Sequence, residues 1–352
     1  MGSSVATDYG EVRVAVQPAC YLCGSPGSLL YQNAKDVRYG CPGIWMIRRC
    51  TDRRCGLLWL DPIPVEEDVA RIYGYFRETH DDPSREPGRW LASLRKARRC
   101  YLALKYGYPL PDGSQARERW MGMLAYLHPA WRADADFPFA EMPGHSKGRL
   151  LDVGCGGGVA MKLMHDWGWQ VEGVDFDTGA IQNARSKGLT VHQGSVADLA
   201  LPDGSFDAIT MSHIIEHVHD PIGFLKHANR LLKPGGRVVL ATPNAWSLGH
   251  KIWRNDWVSL ATPYHLFIFN PPTLARILRK AGFSQVFCST KPRWADQAFI
   301  ASRAVRRSGH YELGSPQSNT LRLYGWLMAC AERIGLGLRR TLGEEIVAFG
   351  VK

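Results

Sequence analysis

Residues 148–175 read GRLLDVGCGGGVAMKLMHDWGWQVEGVD, a strand–turn–helix–strand pattern that ends in an acid. An apolar run at 150–153 predicts a strand, which ends in a turn with glycines at 154 and 156–158. A helix-period segment follows, and a second short strand ends at Asp175. Glycines let a backbone turn tightly and approach a ligand, and a helix N-terminus favours an anion. A carboxylate at the next strand tip can accept hydrogen bonds from a ribose diol, as in nucleotide-binding folds. The stretch therefore predicts a binding site for a ligand that contains a ribose.

The glycine spacing separates two families that use this layout. Dinucleotide-binding dehydrogenases carry G-x-G-x-x-G, but here Val159 stands where the third glycine belongs. The run D-V-G-C-G-G-G at 152–158 instead resembles motif I of the class I S-adenosylmethionine-dependent methyltransferases. Asp175 follows Gly158 by 17 residues, within that pattern. The resemblance implies an enzyme that uses S-adenosyl-L-methionine, and it disfavours a nicotinamide dehydrogenase.

The resemblance also implies a set of cofactor-binding residues. Asp152 is expected to order the glycine loop and to interact with the methionine ammonium of the cofactor. Asp175 is expected to bind the ribose. The turn after the third strand is expected to line the adenine pocket. One position, Ser195, holds serine where the family often has aspartate. The expected contacts are Asp152, Gly154, Cys155, Gly156, Gly158, Asp175, Phe176, Ser195, Val196, Ser212 and His213.

Strand and helix patterns alternate regularly from residue 148 onward. Alternation of this kind predicts an α/β fold, a Rossmann-like, seven-stranded, mostly parallel sheet with helices on both faces. Ligands then bind at the carboxyl ends of the strands. The expected strands are 149–154, 170–175, 189–194, 206–212, 236–242, 284–290 and 344–351, and the expected helices are 157–167, 178–187, 221–232 and 272–282.

Five of the nine cysteines fall between residues 20 and 55, in a local cluster. Cys20 and Cys23 form one knuckle, and Cys50 and Cys55 form a wider second one. Four thiolates can surround one tetrahedral Zn²⁺ in a structural role, whereas the alternative is a set of reduced, metal-free cysteines. Cys41 lies beside Pro42 and Gly43, which indicate a loop, and it is not counted among the zinc ligands. The segment resembles the zinc-ribbon-like N-terminal module of bacterial methyltransferases from polysaccharide and natural-product biosynthesis, through the run at 49–64 and the aromatic patch at 73–76.

These features predict three regions. Residues 1–76 form a zinc-ribbon-like module, and 77–147 form a helical linker that contributes to substrate binding. Residues 148–352 form the methyltransferase core, with a helical insertion at about 291–343.

Two segments are expected to form the binding site for the methyl acceptor. The fourth strand ends in SHIIEHVH, residues 212–219. The long segment 243–272 carries three tryptophans, which suit either stacking on sugar rings or a hydrophobic lid. Its run W-x-x-L-x-x-P-x-H-L-x-x-F resembles the same glycan-tailoring methyltransferases and places His265 near the cleft. A hydroxyl acceptor needs a general base, and histidine suits this near neutral pH, so His217 and His265 are the catalytic candidates.

The net charge and the apolar runs of the chain limit the kinds of partner that the protein is expected to bind. The formal net charge is +10, with the excess at the two ends of the chain, which suits an anionic partner or a solvated arginine-rich surface. No apolar run is long enough to span a membrane, and no signal pattern opens the chain, so the expected compartment is the cytoplasm. The apolar stretch 321–340 favours internal packing, and contact with a membrane that carries a lipid-linked substrate is the alternative.

The expected function is methyl transfer to a sugar, glycan or related small-molecule acceptor, with lipid-linked and nucleotide-linked forms included. An RNA methyltransferase with a zinc module and a non-catalytic S-adenosylmethionine-binding protein stay open. Nucleic acid is the less expected partner because no recognised RNA-binding module is visible. The oligomeric state is left open.

Overall fold

The computed structural model describes residues 9–10, 12–75, 89–107, 119–142, 147–312 and 317–352. Parts of the predicted linker, 77–88, 108–118 and 143–146, lie outside the described residues, as does Phe76 of the aromatic patch. The strands are β1 Val14–Ala15, β2 Gly27–Ala34, β3 Trp45–Cys50, β4 Leu58–Asp61, β5 Ile63–Pro64, β6 Arg149–Val153, β7 Gln170–Asp175, β8 Thr190–Gln193, β9 Phe206–Ser212, β10 Leu232–Pro243, β11 Phe267–Ile268, β12 Ser284–Lys291 and β13 Glu345–Val351. The helices are α1 Val69–Tyr73, α2 Arg89–Tyr106, α3 Arg119–Met123, α4 Pro129–Asp136, α5 Val159–His165, α6 Thr178–Ser186, α7 Pro221–Leu231, α8 Leu248–Trp253, α9 Pro271–Lys280, α10 Ala295–Ser308 and α11 Asn319–Leu338.

The central sheet confirms the predicted fold class. Within the described residues it has seven strands in the order β12-β13-β10-β9-β6-β7-β8. The strands β10, β9, β6, β7 and β8 pair in parallel, and β13 runs antiparallel to both β10 and β12. The carboxyl ends of β6, β7 and β9 therefore meet at one edge, which is where the candidate site lies.

Local sequence chemistry fixes the helices that flank this edge. Helix α6 begins after Asp177, whose side chain accepts a hydrogen bond from the Ala180 N–H. Helix α7 begins after Asp220 with proline at its first position, an arrangement that satisfies free N–H groups at a helix start. These caps hold the turns after β7 and β9 in place.

A second, four-stranded sheet joins the N-terminal segment to the core. Its order is β11-β4-β3-β2, and β11 belongs to the segment between β10 and α9. Phe267 lies opposite Trp59, and Ile268 lies opposite Leu58. One apolar core contains Trp45 and Trp59 together with residues of the large sheet and its helices. The cysteine-rich segment thus packs in one body with the large sheet.

The segment 243–272 is more ordered than the sequence suggests. It holds α8, two short 3₁₀ turns and β11. Trp253 and Trp257 are buried, and Trp246 is partly buried. Trp257 stacks on the His250 ring with centroids 4.8 Å apart, and its indole N–H donates to Glu344. Protein atoms already cover Trp253 and Trp257, so of the two alternatives their burial favours the hydrophobic lid over stacking on a sugar.

The insertion before the last strand consists of α10 and α11, which pack against each other between β12 and β13. Gly325 permits their close approach, since a Cβ there would lie 2.7 Å from the Ile300 side chain. Among the described helices, none is both long and apolar enough to cross a membrane.

Candidate functional site

The glycine turn after β6 is built for a backbone that approaches a ligand. Gly154, Gly156 and Gly158 all have positive φ, at 69°, 53° and 76°. A Cβ on Gly154 would lie 2.0 Å from the Ile214 side chain, whereas a Cβ on Gly156 would meet nothing within 4 Å. The turn is therefore tight on its inner side and open on its outer side, where a ligand can lie.

Asp175 stands at the end of β7 beside this turn. Its carboxylate accepts hydrogen bonds from the Gly156 N–H at 2.8 Å and from the Asp177 N–H at 2.9 Å. An ionised carboxylate offers about four lone-pair positions, so about two remain for a ribose diol. Phe176, the next residue, has 71% of its surface exposed and can cover a base or ribose.

Asp152 lies deeper, at the end of β6. It accepts a hydrogen bond from the Thr210 hydroxyl at 2.7 Å, and burial raises the pKa of its carboxyl to about 6. It lines a cavity of about 90 Å³ at the carboxyl edge of the sheet. The other lining residues are Phe137, Pro138, Leu150, Gly154, Cys155, Ala160, Met161, Met164, Thr210 and Ser212. A buried carboxylate of raised pKa in such a cavity suits a cationic group such as an ammonium.

The turn after β8 lies next to Asp175. The Gly194 N–H donates to the Asp175 backbone carbonyl at 2.9 Å. Ser195 accepts from the Ala197 N–H through its hydroxyl, and Val196 is fully buried. The structure thus brings the predicted adenine-side and ribose-side residues together, while their contacts with a cofactor remain predictions.

His213 has a different environment from the one expected. Its Nδ1 lies 3.1 Å from Glu216 and its Nε2 lies 2.7 Å from Glu345. Burial lowers the pKa of this imidazole, but the two carboxylates outweigh it and raise the pKa to about 10. Both ring nitrogens therefore carry protons toward carboxylates. A cofactor contact through the ring nitrogens would have to displace one of them, so the assignment of His213 to the cofactor stays a prediction.

The two histidines predicted as bases come together beside Glu216. The rings of His217 and His265 have centroids 4.8 Å apart, although 47 residues separate them. Glu216 is fully buried; burial alone would raise its pKa, but His213 lowers it to about 2. Its second oxygen accepts from the Thr242 hydroxyl at 3.0 Å. An ionised carboxylate thus lies against both rings.

Backbone carbonyls fix the protonation of these rings. Nδ1 of His217 lies 2.9 Å from the Tyr264 carbonyl, and Nδ1 of His265 lies 2.8 Å from the Ser259 carbonyl. A carbonyl only accepts, so both protons sit on Nδ1 and both Nε2 atoms keep a lone pair. Burial lowers the pKa of both histidines, that of His265 to about 3.

Two groups of side chains have the geometry of metal ligands. The Sγ atoms of Cys20, Cys23, Cys50 and Cys55 all lie within 4.8 Å of one another. Ligand atoms of Glu216, His217 and His265 satisfy the same condition. Cys41 belongs to another cluster, with Val12, Ile72 and Tyr264.

Some residues at the site could not be predicted from the sequence. Arg293 is buried and donates to Glu345 at 2.8 Å, to Asp134 at 2.9 Å and to Ser212 at 3.3 Å. Glu345 begins the last strand, and Asp134 lies in α4. No local motif marks these residues, because they come from regions far apart in the chain. Phe137 and Pro138 of the linker region also line the cavity, and no local motif marks them either.

Comparison with known proteins agrees with this site. The family profile described as "Methyltransferase domain" matches residues 123–286. A ubiquinone biosynthesis O-methyltransferase of Xanthomonas oryzae pv. oryzae is 43% identical over 173 residues, and the match covers 44% of this chain and 71% of that protein. A probable S-adenosylmethionine-dependent methyltransferase of Mycolicibacterium smegmatis is 32% identical over 138 residues, 38% of this chain; the chain spans about half of that relative, 51%.

Solved structures of similar fold include two methyltransferases. One from Archaeoglobus fulgidus has 24% identity and a TM-score of 0.41, with 58% of this chain and 86% of that chain covered. One from Thermotoga maritima, a possible histamine N-methyltransferase, has 22% identity and a TM-score of 0.44, with 67% and 94% covered.

The glycine turn, the acid at the next strand tip and the sheet order define an α/β S-adenosylmethionine-binding fold. With the relatives above, they place the chain in one family: it belongs to the S-adenosylmethionine-dependent methyltransferases.

Proposed function

We propose that this protein transfers a methyl group to a hydroxyl of a small-molecule acceptor, with His217 as the general base. The observation that carries this proposal is the pairing of His217 and His265 against the ionised Glu216 carboxylate at the carboxyl edge of the sheet. S-adenosyl-L-methionine, when bound, supplies a sulfonium methyl group that is already activated toward a nucleophile. The protein then has to orient the acceptor and remove its proton.

His217 is better placed than His265 to accept the proton. It is partly exposed, whereas His265 is buried and has a pKa of about 3. The His217 Nδ1–H donates to the Tyr264 carbonyl, and the Tyr73 hydroxyl lies 3.0 Å from the same nitrogen. Nε2 is therefore the atom that accepts the proton, and the Glu216 charge stabilises the imidazolium that forms. His265 orients this arrangement.

The acceptor class we propose is the sugar or glycan predicted from the sequence. The support is the resemblance of 49–76 and 257–269 to glycan-tailoring methyltransferases. A phenolic acceptor is the second candidate, favoured by the similarity to proteins named ubiquinone biosynthesis O-methyltransferase. Both candidates are hydroxyl compounds and need the same proton removal.

We further propose a structural Zn²⁺ at Cys20, Cys23, Cys50 and Cys55. The Cys20 and Cys55 sulfurs lie 3.7 Å apart, and those of Cys23 and Cys50 lie 3.4 Å apart. Zn–S bonds of about 2.3 Å at tetrahedral angles place sulfurs about 3.8 Å apart, so the four thiols fit the ion with little movement. Four protein ligands leave no open position, which makes the role structural.

The test incubates the full chain with radiolabelled S-adenosyl-L-methionine and fractionated cell extract, and then separates sugar nucleotide, lipid-linked glycan, phenolic lipid and RNA pools. Label in a glycan pool supports the first acceptor class and label in a phenolic pool the second. Label in RNA alone would overturn both. With the acceptor found, His217→Gln should lower kcat at least about 100-fold, the contribution of a general base.

Asp175→Asn provides the matched comparison. It should weaken S-adenosylhomocysteine binding by about 1.5–3 kcal/mol, the range for charged hydrogen bonds, while His217→Gln leaves that affinity unchanged. A His217→Gln enzyme with normal turnover would remove His217 from the role.

A further inference from the structure

Helix α11 presents large apolar side chains to solvent on the face opposite to its buried face. Leu323, Leu327, Ile334 and Leu338 are 55%, 51%, 71% and 89% exposed. At 3.6 residues per turn these four fall within a stripe about 60° wide. The buried face consists of Gly325, Ala329 and Glu332, on the other side of the helix. A helix that only packs on a core carries polar residues on its outer face, so this stripe calls for a partner.

The apolar surface continues beyond the helix. The Trp326 indole N–H donates to the Leu127 carbonyl at 2.8 Å, which joins α11 to the 3₁₀ turn Leu124–Leu127. In that turn Leu124 and Leu127 are 48% and 67% exposed. We call the surface formed by Leu323, Leu327, Ile334, Leu338, Leu124 and Leu127 the outer apolar face.

The charges around this face have one sign along α11 and its end. Arg322, Arg333, Arg339 and Arg340 are all exposed, and no described carboxylate forms an ion pair with any of them. The acid in this stretch is Glu332, which is fully buried and accepts the Glu344 N–H at 2.7 Å. The stretch 319–340 therefore offers solvent only apolar, small polar and cationic groups.

We propose that the outer apolar face binds the surface of an anionic lipid bilayer. Aliphatic side chains of an interfacial helix enter the boundary between head groups and acyl chains, while arginines at its edge contact the phosphates. A second copy of this chain fits less well, because a twofold contact through the stripe would bring the same arginines near one another. The inference concerns binding alone and does not depend on the proposed methyl transfer.

Helix α11, which carries the outer apolar face, is connected to the candidate site by polar contacts. Glu332 fastens α11 to the backbone of Glu344, and the next residue, Glu345, contacts His213 and Arg293 at the site. Helix α10, which packs on α11, begins two residues after Arg293. A membrane-bound α11 is thus connected, through its buried face, to the polar side chains at the carboxyl edge of the sheet.

The test is vesicle flotation of the full chain with phosphatidylcholine vesicles that contain either no or about one quarter phosphatidylglycerol. We expect binding to the anionic vesicles, little binding to the neutral ones, and loss of binding in 0.5 M NaCl, about the salt concentration that screens surface charges. The double variants Arg322→Gln/Arg333→Gln and Ile334→Ser/Leu338→Ser should each bind at least about fivefold more weakly. All substituted side chains are exposed, so circular dichroism and Tm should match those of the parent protein.

The matched control is Lys226→Gln/Arg279→Gln, which removes two exposed positive charges from α7 and α9. Its binding should equal that of the parent protein. The proposal fails if the parent protein does not float with anionic vesicles, if all three double variants bind alike, or if neutral vesicles bind as well as anionic ones. It also fails if Ile334→Ser/Leu338→Ser converts a dimer to a monomer in size-exclusion chromatography, because a second copy then covers the face.

Discussion

The carboxyl of Asp152 links the burial of one residue to the pH dependence of cofactor binding. Its pKa is raised to about 6 because it is buried, so its ionisation opposes folding as pH rises through that value. A cationic ammonium beside it favours the ionised form. Binding of the cofactor should therefore strengthen as pH rises through about 6, and binding below that pH should release a proton.

We predict that S-adenosylhomocysteine binds about fourfold more weakly at pH 5.5 than at pH 7.5, the consequence of a single group with a pKa of about 6. Isothermal titration calorimetry in two buffers of different ionisation enthalpy would measure both the affinity and the proton release. Asp152→Asn should bind more weakly throughout and lose the pH dependence. An unchanged affinity from pH 5.5 to 7.5 in the parent protein would contradict the role of Asp152.

Single residues also show which contacts a motif cannot predict. The glycine turn, Asp152 and Asp175 belong to one short motif, so their proximity could be predicted from spacing. The environment of His213 could not, because Glu345 reaches it from the last strand, where Arg293 in turn binds Glu345. A motif shows which residues are neighbours in the chain, whereas the pKa of a buried histidine depends on carboxylates that the fold brings to it.

At the scale of elements, the two cysteine knuckles were predictable and the way they are held was not. The spacing of the cysteines predicts a four-thiol cluster, and the structure brings the four sulfurs together. Pairing of β4 with β11 had no sequence signal, because β11 has two residues and lies in a stretch without periodicity. Tertiary contact with Leu58 and Trp59 makes it a strand.

We predict that Cys20→Ser removes bound zinc and lowers Tm by about 5 °C or more, because a structural zinc site supplies folding free energy. Elemental analysis and thermal unfolding would measure these two effects. The control is Cys41→Ser, which changes a buried thiol outside the cluster and should leave about one zinc per chain. Equal zinc content in the two variants would contradict the assignment of the ligands.

At the scale of the whole molecule, the cysteine cluster and the candidate site share one body. The four-stranded sheet contains strands from both, and a single apolar core continues across them. His265 lies two residues before β11, the strand that pairs with β4 of the N-terminal segment. The proposed zinc site should therefore support the acceptor side of the cleft more directly than the glycine turn, which is anchored by β6 and β7 of the large sheet.

We predict that loss of zinc lowers turnover more than cofactor affinity. Cys20→Ser serves better than a chelator, because Glu216, His217 and His265 also have the geometry of metal ligands and a chelator would act on both groups. Near but below its Tm, the variant should bind S-adenosylhomocysteine within about threefold of the parent protein, while kcat falls about tenfold or more as His265 loses its position. Calorimetry and an acceptor assay at one temperature measure the two quantities. A parallel loss of both would mean that the large sheet also depends on the zinc site, and full turnover without zinc would mean that the β4–β11 pairing holds His265 in place unaided.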